Sequence, residues 1–179
     1  MSFFFKKKRS YIPVLFLKRS FFLDTGRYLK NSVLEFSFFY FFYFFQVRIA
    51  VFGTRNVTIP PGFDYVDQQI AAFHTRDDDL ELTEQTDIHY GSTDGTAVFN
   101  WRLLFDAYMP CSAPTFRLQL KHSGLLGTQV LGEVNLNLAR DFANCRKAHG
   151  PVELPRAWVP VTQADHPGKT RGEIDMQVR

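Results

Sequence analysis

The side chains able to do chemistry in this chain are few and scattered. Ser92, Asp94 and His89 lie close together and supply the residue types of a nucleophile–base–orienter set. They flank a tight turn, however, where alternate residues face opposite sides, and nothing supplies the strained turn that a nucleophile needs. His74, His89 and His122 could meet at a metal, but their spacings fit no metal-site pattern. Cys111 and Cys145 have no C-x-x-C partner, and two cysteines make no disulfide framework. With no cleavable signal peptide ahead of them, a reducing, cytosolic setting is expected. No phosphate loop or dinucleotide fingerprint is present. The expectation is therefore a non-catalytic protein with no small-molecule substrate.

The elements that must position these residues centre on Thr86 to Phe105. Two runs rich in β-branched and aromatic residues flank Asp94-Gly95, which reads as a β-hairpin whose turn needs φ > 0. On the second arm Phe99, Trp101, Leu103 and Phe105 share one face, and Asn100, Arg102 and Leu104 share the other. Trp101 and Trp158 are expected in the core. Strands are also expected at Val47–Val57, Asp64–Phe73, Phe116–Lys121, Val130–Leu138, Trp158–Val161 and Ile174–Arg179. Pro160 marks the Trp158 strand as edge-like. His74–Gln85, with Asp77-Asp78-Asp79, Glu81 and Glu84, reads as a solvated loop. His122–Gln129 reads as a loop with glycines at 124 and 127. Ala139–His149 allows one or two turns of helix before Gly150-Pro151. Eight short strands with one-sided alternation predict an all-β, antiparallel, eight-stranded β-sandwich.

Charge divides the chain in two. Residues 1–46 carry a net +6 and 13 of the 20 Phe, while residues 47–179 carry a net −3. The acidic body argues against a nucleic-acid partner. In the first segment, Phe36 to Phe45 is nearly all Phe and Tyr, too short to span a bilayer as a helix. It has two readings. One is an interfacial anchor, with Lys6-Lys7-Lys8-Arg9 meeting anionic lipid. The other is translated non-coding sequence, disordered or a gene-model artefact. No function is built on it. The domain proper is expected at residues 47–179.

Asp87-Ile88-His89-Tyr90, a Gly-containing turn, then Phe99-Asn100-Trp101-Arg102, with Trp158 further on, resembles the last, membrane-proximal C2 domain of ferlins. The resemblance covers Val47 to Arg179. It implies a C2-type sandwich and a structural part for Asp87, His89, Tyr90, Phe99, Asn100, Trp101, Arg102 and Trp158. It also implies a non-catalytic, cytoplasmic, membrane-associated role in membrane fusion, vesicle trafficking or membrane repair. Its partners would be a membrane surface or neighbouring domains of a larger protein. In complete ferlins a transmembrane helix follows this domain, so a chain stopping at Arg179 is expected to be a fragment.

The same resemblance raises calcium, a hard cation that takes six to eight oxygens. The family places one ligand just before the second strand, where Asp67 or Asp64 stands, and a carboxylate cluster after the strand at Phe116–Lys121. Lys121 to Gln129 contains no carboxylate. The expectation is no calcium site, with Asp64 and Asp67 vestigial and Asp67 bonding local backbone. Two apolar loops are expected at that end: Ile59-Pro60-Pro61-Gly62-Phe63 and Gly124-Leu125-Leu126-Gly127. Ile59, Phe63, Leu125 and Leu126 are candidate membrane contacts, set against a reading in which they only cap the core. The rival is a protein-interaction β-sandwich with no lipid or calcium role, favoured by the net −3, or a non-functional fragment.

Overall fold

A computed structural model describes residues 43–109, 111–112, 114–124, 127–163 and 166–179. The expectations for residues 1–42, and those for Leu125 and Leu126, lie outside the described residues. Residues 44–179 form one compact unit.

Nine strands and one helix follow in order among the described residues: β1 Tyr43–Arg55, β2 Val66–Thr75, β3 Glu81–Gln85, β4 His89–Ser92, β5 Ala97–Met109, β6 Thr115–Gly124, β7 Gly127–Asn137, α1 Ala139–Ala148, β8 Ala157–Gln163 and β9 His166–Val178. They form one hydrogen-bonded path, β3-β2-β6-β7-β8-β9-β1-β5, with β4 also paired to β2. The two ends of the path, β3 and β5, meet, so the sheet folds over on itself into nearly a barrel. The all-β antiparallel expectation holds in this form. The added strand is β3, which the acid-rich sequence hid. Its residues are mostly exposed, and it gains order by pairing Ala71–Thr75 with Gln85–Glu81. β1 begins four residues ahead of Val47, with Phe45 packed on Phe142 of α1, ring centroids 5.0 Å apart.

The expected hairpin is corrected. The Asp94-Gly95 turn exists, with Gly95 at φ 73°, but its arms do not pair with each other. β4 pairs with β2, through Val66↔Ser92 and Gln68↔His89, while β5 lies beside β1. The turn therefore carries the chain from one side of the fold to the other. Close contact explains the glycine. A Cβ at position 95 would lie 2.4 Å from the Val57 carbonyl oxygen, and the Val57 N–H donates to the Gly95 carbonyl at 3.1 Å.

The alternation of β5 breaks at Asn100, which sits at φ 49°. Asn100, Trp101 and Arg102 are all exposed, whereas Phe99, Leu103, Phe105 and Ala107 point inward. Trp101 is 40% exposed and Trp158 39%, so neither is core. Strict period-two counting misplaced Trp101 because the left-handed backbone at Asn100 interrupts the alternation locally, while the inward parity is the same on both sides, at Phe99 and at Leu103. In β7 the phase does change. A register shift opposite Leu120 and Lys121 turns Leu131 inward and leaves Val130 exposed.

The core joins Ile49 and Val51 of β1, Ile70 and Ala72 of β2, Leu103 and Phe105 of β5, Phe116, Leu118 and Leu120 of β6, and Ile174 and Met176 of β9. On the outer face two arginines each cover an aromatic ring and hold a carboxylate. Arg156 stacks on Phe52 at 3.8 Å and donates two bonds to Asp175, whose side chain is only 8% exposed. Arg55 stacks on Trp158 at 4.2 Å and pairs with Glu173. β8 lies inside the path, yet against β7 only Glu133↔Thr162 is in register, so Pro160 meets no ladder on that side, while on the other it pairs with Glu173 of β9.

Two outcomes follow for stability. Gly95→Ala meets both the left-handed backbone and the Val57 backbone, so urea unfolding should show a loss of roughly 2–4 kcal/mol. Arg156→Met strands the enclosed Asp175 carboxylate and should lower the urea midpoint more than Arg55→Met does, because Glu173 keeps more of its side chain in water. Equal losses from the two arginine variants would contradict this.

Candidate functional site

Antiparallel order brings the end of β1, the start of β2, the β4–β5 turn and the β6–β7 turn to one end of the fold. This is the end where sequence placed both the candidate calcium ligands and the apolar loops.

Asp67 is in β2, not ahead of it, and is 8% exposed. Its Oδ1 accepts the Gly91 N–H at 2.7 Å, and its own N–H donates to His122 Nδ1 at 3.0 Å. The carboxylate thus ties β4 to β2 where their register shifts, between Val66 and Gln68. Asp64 is exposed on the loop before β2. Asp94 accepts from the Thr96 N–H at 2.9 Å, the Thr96 hydroxyl at 2.8 Å and the Ser92 hydroxyl at 3.3 Å. The Thr96 bonds hold its pKa below the usual carboxylate range, so their stabilisation is present at neutral pH and is lost as pH falls through the lowered value. His89 is turned away from this pair, its ring edge toward Phe99.

Asp77 lies at the opposite end, where it accepts from the Ser112 N–H and hydroxyl. Asp78 is paired with Arg76. Among the described residues, no three His, Cys, Asp or Glu are grouped to hold a metal ion. At this end the inner carboxylate, Asp67, is engaged through Oδ1 by backbone, and the ionisable side chain bonded to its amide is a histidine, His122.

The expected loop at His122–Gln129 is corrected. Its six described residues are strand, with β6 and β7 paired as far as Gly124↔Gly127. His122 is 3% exposed and lies on the inner face opposite Gln68. Gln68 Oε1 accepts from the Thr54 hydroxyl, while Gln68 Nε2 and His122 Nε2 have no partner. The His122 ring lines a cavity of about 390 Å³ with Phe63, Tyr65, Gly124, Gly127, Thr128 and Gln129. Phe63 sets its edge on the imidazole at 4.7 Å and is 42% exposed. Ile59, from the same loop, packs on the core instead. So one of the two described apolar-loop candidates caps the core and the other faces out.

The motif residues are dispersed by comparison. Asp87 and Arg102 are exposed, Tyr90 is 71% exposed, Phe99 is core, Asn100 makes the kink and Trp158 lies under Arg55. Sequence reading missed Thr86, which joins β2 to the segment before β4 by donating its N–H to the Ile70 carbonyl and accepting the Ile70 N–H on its hydroxyl. It also missed the pairing of Gln68 with His122. Polar residues at inward parity, Gln68 with Val66 and Ile70, and His122 with Leu120 and Leu118, were the available signal.

No family model matches the chain. Ferlin 1 of Toxoplasma gondii is 34% identical over 134 residues, which is 74% of this chain and 9% of that protein. Ferlin 2 of Tetrahymena thermophila is 31% identical over 101 residues, 55% of this chain and 6% of that protein. The chain thus spans less than a tenth of the length of these curated relatives. In fold it is similar to a C2 domain of plant extended synaptotagmin 1, at TM-score 0.53 and 10% identity over 74% of this chain and 91% of that one. It is likewise similar to a C2 domain-containing protein from a putative elicitor-responsive gene, at TM-score 0.54 and 12% identity over 75% and 87%. The chain therefore belongs to the ferlin family, and its described body is a C2 domain.

Proposed function

We propose that this chain supplies a non-catalytic C2 module of a ferlin-type protein, the last and membrane-proximal one, acting in membrane fusion, vesicle trafficking or membrane repair. It works on the cytoplasmic side of a membrane and needs no calcium. The carrying observation is the state of the tip. Its inner carboxylate, Asp67, accepts a backbone N–H and its own amide donates to His122, while an aromatic side chain, Phe63, sets its edge on that imidazole and stays half-exposed. Such a tip suits contact with a lipid interface better than capture of a divalent ion. Among the described residues no helix is long and apolar enough to cross a membrane.

The contact is weak alone. Burying the exposed part of one Phe gains roughly 1–2 kcal/mol. Leu125 and Leu126, which join β6 to β7 in the sequence, would add to it. The net −3 of residues 47–179 offers no general attraction to anionic lipid. A second reading, docking on a neighbouring domain, is favoured by the outward face of β5, where Val98, Leu104 and Tyr108 stay exposed and Tyr108 meets the exposed Phe44.

Two measurements test the proposal. Calorimetry of the full chain with millimolar Ca²⁺ should give no binding isotherm and chelator no change in melting temperature; a micromolar isotherm refutes calcium independence. In liposome flotation, Phe63→Asp should lower vesicle affinity by roughly ten-fold without changing the melt. Absence of flotation for the unaltered chain would favour the domain-docking reading.

A further inference from the structure

β5 ends the hydrogen-bonded path and is joined on one side to β1. On its other side β3 comes near, but among the described residues no strand pairs with β5 there. A strand so placed presents backbone N–H and C=O groups that another strand can complete. The two ends of the path treat this differently. β3 is mostly exposed and carries Glu81 and Glu84 with no cation, so two copies brought together there would repel. β5 carries one charge of each sign, with an apolar residue between them.

Those residues are Arg102, Leu104 and Asp106, which alternate along β5 and are all exposed. The two charges are unused within the chain. Arg55, Arg117 and Arg156 each reach a carboxylate from another part of the sequence. Among the described residues, neither Arg102 nor Asp106 has an ion pair or a side-chain hydrogen bond. Nor can they meet each other, because four residues along a strand separate them by about 13–14 Å.

A two-fold axis through Leu104 brings them together. In an antiparallel pair of β5 strands related by that axis, Arg102 of each copy faces Asp106 of the other, and Leu104 faces Leu104. Side chains directly opposite in such a pair have Cβ atoms about 4.5–5.5 Å apart, within reach of an ion pair. Moving the axis to residue 103 or 105 sets Leu104 against Arg102 or Asp106, so charge selects one register. Backbone geometry agrees. The left-handed residue Asn100 interrupts the strand on one side, which leaves Trp101 to Ala107, centred on Leu104, to form the seam.

We propose that β5 pairs with β5 of a second copy of this chain across a two-fold axis at Leu104, with reciprocal Arg102–Asp106 ion pairs. Tyr108, flanked by Phe44 at 5.4 Å and by the Arg76 guanidinium at 5.3 Å, borders the seam. Exposed ion pairs add little strength, and the seam is short, so the association is weak and reversible. The charges set the partner and the register. The occupant of this strand is then a second copy and not a different domain. The pairing does not depend on the membrane contact proposed for the tip.

Sedimentation equilibrium of the full chain over roughly 5–500 μM should show a reversible monomer–dimer exchange. Arg102→Asp and Asp106→Arg each set like charges across the axis. Each should raise the dissociation constant roughly ten-fold or more, with the melt of the monomer unchanged because both side chains are exposed. Mixed in equal amounts, the two variants restore opposite charges at both positions, so the mixture should dimerise as tightly as the unaltered chain. The double exchange Arg102→Asp/Asp106→Arg should do the same. Hydrogen exchange of the Trp101–Ala107 amides should slow as concentration rises. A chain that stays monomeric across this range overturns the proposal and leaves the strand to a neighbouring domain. A dimer indifferent to both charge changes, or variants that fail to reconstitute on mixing, also overturns it, since the contact then lies elsewhere. None of these outcomes bears on vesicle flotation through Phe63.

Discussion

The tip of this fold depends on one junction, at Asp67. Its carboxylate takes the Gly91 N–H and its amide gives its hydrogen to His122 Nδ1. Three strands meet there: β4 through Gly91, β2 through Asp67 itself and β6 through His122. A carboxylate enclosed in this way needs donors close by, and backbone supplies one with no charge of its own. The exchange fixes the imidazole tautomer as well, because a nitrogen that accepts from an amide carries no proton. A chemical property of the site, a donor at Nε2, therefore follows from a structural requirement, the joining of β4 to a bulged stretch of β2.

The rest of the body is held differently. The sheet folds over so that β3 and β5 meet, and its outer face would leave Phe52 and Trp158 in water. Arg156 and Arg55 cover them, each laying a guanidinium on a ring while its donors reach a carboxylate on β9. A planar, weakly hydrated cation does both at once, which lysine's compact ammonium cannot. The two pairs differ in energy because Asp175 is enclosed and Glu173 is not. Trp158, a motif residue by sequence, thus has a structural task at the surface and not in the core.

Much of the fold was legible because strands advertise themselves by alternation. Phe116 to Lys121 and Ile174 to Val178 read correctly for that reason, and the ferlin-type motif named the domain. The errors occur where a single residue interrupts or shifts the alternation. Asn100 in a left-handed conformation put Trp101 outside, and the register shift beside Leu120 reversed Val130 and Leu131. β3 was missed because its partner, not its composition, makes it a strand. The hairpin failed for a topological reason: Asp-Gly specifies a turn, while which strands pair is decided by contacts remote in sequence. At the site, the absence of carboxylates from Lys121 to Gln129 was visible in the sequence. The junction of Asp67 with His122, 55 residues apart, was not.

In the proposed reading, a tip arranged this way meets a membrane by other means than calcium bridging. Calcium bridging relies on charge: several carboxylates converge, the ion is shared with anionic lipid, and affinity follows ion concentration. Here the inner carboxylate is bonded into the fold, Asp64 and Asp94 stand exposed at the same end, the body is net negative, and the apolar surface on offer is that of the Phe63 and Tyr65 rings. These favour the interface without attracting it from a distance, so contact made through them is short-ranged, insensitive to salt and weak for one copy. Weak contacts become effective when tethered beside others, since the second event is then intramolecular. The curated relatives are more than ten times the length of the stretch they share with this chain. In the proposed reading, within a chain of that length, a constitutive low-affinity contact with the bilayer would hold position while other segments supply strength or timing.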